Sequence, residues 1–174
     1  MRLLVISIIG LLAGCFPYVS SYLHLDGEGI THRPTRCGSA LPPAVATYER
    51  NGVRFDVTLE PRASAISKSG LLLVRAPQQM KVSIPHPIGQ VSDAGGSLSN
   101  FNLRPAEHPE NRYGAAILAR SGLVDSYFDF VDIPQLSSSG SLILPTVYLD
   151  DSAVTVPALK FERRTHAVVA PLNC

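Results

Sequence analysis

Apolar residues recur at every second position over much of this chain, the period of a strand with one face in a core. Residues 53–60 show it most plainly: Val53, Phe55, Val57 and Leu59 alternate with Arg54, Asp56, Thr58 and Glu60. The first set is expected to face a core and the second to face water, as in an antiparallel sheet wet on one side. Asn51-Gly52 stands just before this stretch. Both residues tolerate positive φ, so the pair predicts a tight hairpin joining residues 45–50 to 53–60.

The rest of the chain reads as further short strands punctuated by turn residues. A turn at 67–70 leads into a strand over 71–76, stopped by Pro77. A strand over 80–84 is closed by Pro85-His86-Pro87, and Ala94-Gly95-Gly96 joins 88–93 to 97–103 as a second hairpin. Residues 104–112 are polar loop. For 113–120, propensity favours a helix, whereas Gly114, brevity and the surroundings favour a strand; we read strand. A strand over 123–132 and a serine-rich turn over 135–140 follow. Residues 141–149 and 153–163 flank Asp150-Asp151-Ser152, and a three-residue loop there would set Pro145 opposite Pro157. Proline cannot donate to a ladder, so both are expected near an edge or a bend. A last short strand spans 166–170. Nine or ten short strands without a long helical period predict an all-β, immunoglobulin-like sandwich; a closed barrel is the alternative.

The first fifteen residues follow another logic. Arg2 precedes an apolar run over 3–12 broken only by Ser7 and Gly10, and Ala13 and Gly14 are small. This is the layout of a secretory signal. The run is about half of the ~20 residues a membrane-spanning helix needs. Leu12-Ala13-Gly14-Cys15 resembles the lipobox of bacterial lipoproteins. The resemblance implies lipid on the Cys15 thiol, cleavage before Cys15 and acylation of the new amino terminus. In that family an Asp after the cysteine favours the inner membrane; Phe16 stands there instead, which points to the periplasmic face of the outer membrane. The expected organisation is a signal peptide over 1–14, a lipidated end and tether over 15–36, and a sandwich domain over 37–174. Gly27-Glu28-Gly29 and Arg33-Pro34 interrupt any period in the tether stretch.

If Cys15 carries lipid, Cys37 and Cys174 remain as a pair in a compartment where disulfides persist. Their bond would close a long loop and contribute roughly 4–5 kcal/mol in the chain-entropy model. Without Arg2 the chain has 14 basic and 14 acidic residues, hence no net charge. No basic stripe is visible, which argues against nucleic acid. Fourteen prolines, thirteen glycines and no tryptophan fit a loop-rich β protein.

Candidate chemistry is sparse. There is no Gly-x-Ser-x-Gly elbow, and the serines over 137–141 have no neighbouring histidine. His24, His32, His86, His108 and His166 form no i, i+2 or i, i+4 ligand pair, so a zinc site would need tertiary assembly. Asp125, Asp129, Asp132, Asp150 and Asp151 offer oxygens to calcium but lack a loop of alternating acids closed by Glu. Paired carboxylates for glycoside hydrolysis cannot be recognised from spacing alone. No catalytic residue, cofactor or metal ligand is therefore assigned. The expectation is a non-enzymatic, lipid-anchored envelope binding or assembly module, held to the membrane by Cys15 and meeting an envelope protein partner. An envelope hydrolase and a small-ligand carrier are the alternatives.

Overall fold

A computed structural model describes residues 17–33, 45–59, 70–106, 123–136 and 138–169. Thirteen strands run through them, and no helix occurs among the described residues. They are β1 (Pro17–Asp26), β2 (Ile30–Arg33), β3 (Val45–Arg50), β4 (Val53–Leu59), β5 (Gly70–Pro77), β6 (Val82–Ser83) and β7 (Ile88–Asp93). Then follow β8 (Leu98–Pro105), β9 (Leu123–Val131), β10 (Ser139–Ile143), β11 (Val147–Leu149), β12 (Ser152–Val154) and β13 (Leu159–Val169). Ten form one antiparallel sheet in the order β1-β13-β10-β7-β8-β9-β5-β4-β3-β2, and β12-β11-β6 form a second. Both sheets feed one apolar core, so the class is the all-β, sandwich-like one that the alternation predicts.

The division is uneven for a topological reason. β1 and β2 stand at opposite edges of the large sheet yet are joined by a turn over 27–29. So short a connection forces the sheet to curl until its edges approach, most of the way to a barrel. His24 and His32 stack across the seam with ring centroids 4.5 Å apart, and the His32 Nε2 lies 2.6 Å from the Leu25 carbonyl oxygen.

Residues 17–33 are therefore not a spacer, contrary to the tether expected over 15–36. β1 pairs with β13 from Pro17–Val169 to Asp26–Lys160, and Leu23 and Leu25 are core residues. The Gly27-Glu28-Gly29 step that seemed to break the pattern is the turn itself: the Ile30 amide donates to the Gly27 carbonyl, and Gly29 has φ 70°. These two strands raise the count from nine or ten to thirteen, as does the breaking of each strand of the last hairpin in two.

The first hairpin is as predicted. Arg50 pairs with Val53, and Asn51 and Gly52 have φ 52° and 75°, the left-handed pair of a tight reversed turn. Val53, Phe55, Val57 and Leu59 are all buried. The opposite face is less simple: Asp56 is buried and Arg54 half-buried, while Glu60 lies outside the described residues. In the second hairpin Asp93 Oδ1 accepts from the Gly95 and Ser97 amides, both at 2.9 Å, and fixes the turn.

The last hairpin bends between the sheets at its prolines. Leu142 faces Leu159 in the large sheet and Val147 faces Val154 in the small one, one register carried past Pro145 and Pro157. The loop has two residues rather than three, since Leu149 pairs with Ser152. The prolines are thus offset by one position instead of opposed. Asp150 permits the tighter turn by adopting φ 53°. Its carboxylate accepts from the Lys81 amide at 2.9 Å, and its own amide donates to the Lys81 carbonyl at 2.8 Å. β13 continues unbroken to Val169, so residues 166–170 are no separate strand. The segment 113–120 lies outside the described residues.

Candidate functional site

Two arginines sit face to face near the tip of the first hairpin. The β4–β5 register places Arg54 directly opposite Arg75. Like charges in that position repel, and each is offset by its own carboxylate. Arg54 Nη2 reaches Asp56 Oδ2 at 2.8 Å. Arg75 grips Asp125 with Nε and Nη2, both at 2.6 Å. This two-pronged bond pushes the Arg75 pKa above its ordinary value, against the opposing effect of burial.

Behind them a polar ladder crosses β3, β4, β5 and β9 on the face away from the core. Thr47 Oγ1 donates to Asp56 Oδ1 at 2.7 Å, and both residues are buried. Tyr127 lies opposite Leu73, and its hydroxyl is 3.4 Å from Asp125 Oδ2. A buried carboxylate is tolerated because donors surround it. Asp129, also fully buried, continues this face.

In front of them lies a cavity of about 280 Å³. Arg50, Arg54, Arg75 and Glu49 line it, with Leu123 as an apolar wall and the Asn51-Gly52 turn at its rim. Asp56 and Asp125 are not part of the wall. Arg54 Nε is a buried donor with no acceptor, and Arg50 makes no ion pair among the described residues. By the registers, this pocket lies at the end of the large sheet opposite Pro17 and Val169.

No family model matches this chain, and neither a curated protein nor a solved structure matches it significantly. The site is therefore read from its own geometry.

Of the residues singled out in the sequence, Cys15, Cys37, Cys174 and His108 lie outside the described residues. His24 and His32 are brought together although eight positions apart. His24 Nδ1 is buried without a partner. Burial first, then Arg164 and His32, lowers the His24 pKa from its ordinary 6.5. His86 is exposed in a loop. The aspartates are dispersed: Asp125 is held by Arg75, Asp132 accepts from Asn102 at 3.1 Å, and Asp150 serves its turn. Among the described residues no three His, Cys, Asp or Glu side chains form a metal-binding group. Ser141 meets Ser92 at 2.7 Å rather than a histidine.

Sequence reasoning missed the arginine pocket. The hairpin turn and Arg54 were legible, but the pairing of β5 against β4 crosses residues 60–69, whose length leaves that register unreadable.

Proposed function

We propose that this chain is a lipid-anchored envelope lipoprotein whose β domain is a binding module on the periplasmic side of the outer membrane. The observation that carries this reading is the placement of Leu12-Ala13-Gly14-Cys15 behind an apolar run too short to span a bilayer. Stable anchoring takes at least two lipid chains, which a multiply acylated Cys15 would supply. Pro17 opens β1 only two residues later. The domain is then held against the bilayer rather than on a stalk, with the arginine pocket at its far end.

A Cys37–Cys174 bond belongs to the same proposal. β2 and β13 leave the large sheet at the same end, and Cys37 and Cys174 follow Arg33 and Val169 within a few residues. Mass spectrometry without reductant should return the cross-linked peptide.

The anchor is tested by Cys15→Ser in cells fed a labelled fatty acid. The expected result is loss of label and release of the domain from membranes. A variant still membrane-bound and correctly processed would overturn the lipoprotein reading.

A further inference from the structure

We infer that the pocket at the β3–β4 turn binds a compact oxyanion, a carboxylate or phosphate group, through Arg54, Arg75 and Arg50. This rests on the binding-module reading and names the ligand chemistry of its site; it does not depend on the anchor. The first support is the wall itself. Among the described residues Arg50, Arg54, Arg75 and Glu49 line a space of about 280 Å³, while Asp56 and Asp125, which offset two of those arginines, are not in that lining. Positive side chains thus outnumber negative ones on the described wall, three to one.

The second support is unused donor capacity. A guanidinium carries five N–H donors in a planar fork that matches a carboxylate or phosphate. Arg75 commits Nε and Nη2 to Asp125, which holds the head rigid and leaves Nη1 over. Arg54 commits Nη2 to Asp56 and likewise leaves Nη1 over, its Nε being sealed from solvent. An anion in the cavity would meet these uncommitted groups and lower the repulsion between the directly opposed cations. Leu123 offers one apolar contact to whatever bears the anionic group.

The test uses the full-length protein in detergent micelles at low ionic strength, followed by ¹⁵N-resolved NMR. Inorganic phosphate and acetate are titrated separately, with chloride as the screening reference. Saturable shifts at Asn51, Gly52 and the Arg54 and Arg75 guanidinium N–H groups are expected for at least one oxyanion and not for chloride. Saturation by phosphate alone assigns a phosphorylated ligand, and saturation by acetate alone assigns a carboxylate. Arg54→Gln should weaken binding by about tenfold or more, the loss of one charge-assisted contact, while Arg164→Gln, distant and exposed, should leave it unchanged. If Arg54→Gln does not fold, Arg50→Gln decides, because that side chain supports no ion pair among the described residues. Non-saturating shifts with both oxyanions, or equal binding in the Arg50→Gln variant and the parent, would overturn the inference. Either result leaves Cys15 labelling untouched, so the two readings fail separately.

Discussion

Asp56 shows how much one buried carboxylate organises. It accepts from Thr47 and pairs with Arg54, so Asp56→Ala strands both a hydroxyl and a guanidinium. We expect a loss of about 2–4 kcal/mol, measured by denaturant unfolding. Hairpin spacing alone sets Thr47 opposite Asp56, so the pair was legible in the sequence. Its burial was not, because alternation tells which face a residue takes and nothing about what lies over that face. His24 gives a pH prediction. Its folded pKa lies below 6.5, so on acidification the unfolded chain takes up the proton first. Stability is full above about 6.5 and declines as pH falls through the lowered folded value. Arg164 and His32 add to the depression, and Asp26 and Glu162 oppose it. Thermal melts of His24→Gln at neutral and mildly acid pH should show a smaller difference than those of the parent.

Strands are held in pairs by how their side chains fit. Phe55 is fully buried on the inner face of β4, and Phe55→Ala should cost about 3–5 kcal/mol. Gly140 on β10 lies directly opposite Phe161 on β13. A Cβ at 140 would overlap the Ser92 carbonyl and the Phe161 ring. The obstruction is partly backbone, so Gly140→Ala should destabilise by about 1–3 kcal/mol through overpacking, again read by denaturant unfolding. Gly52, by contrast, meets nothing, and only its φ of 75° resists a side chain. The first two hairpins were legible because strict alternation and turn residues coincide there. β1 and β2 were not. Their signal is Leu23 and Leu25 on one side and Ile30 with His32 beyond a glycine turn, too brief to outweigh the glycines read as a spacer. The bend at Pro145 and Pro157 was legible as a bend but not as a change of sheet, since no local pattern records which sheet a strand joins.

The curled sheet makes the first seventeen described residues part of the body. Deleting residues 16–33 should abolish cooperative unfolding, because it removes both edge strands and bares the core that Leu23 and Leu25 cover. A deleted protein with an unchanged melting curve would restore the spacer reading. The sandwich-like class follows from many short alternating strands, whereas strand order depends on long-range pairing that short-range patterns do not encode. Pro17 pairs with Val169, almost the whole chain away. The first described strand to emerge during synthesis must therefore stay unpaired until the last arrives. Closing so long a loop comes before any contact rewards it. Refolding is expected over milliseconds to seconds or longer, with the β3–β4 hairpin structured early and the β1–β13 ladder zipping last. Until then Leu23 and Leu25 lie on an open edge, where another copy's strand can pair in place of the chain's own C-terminus.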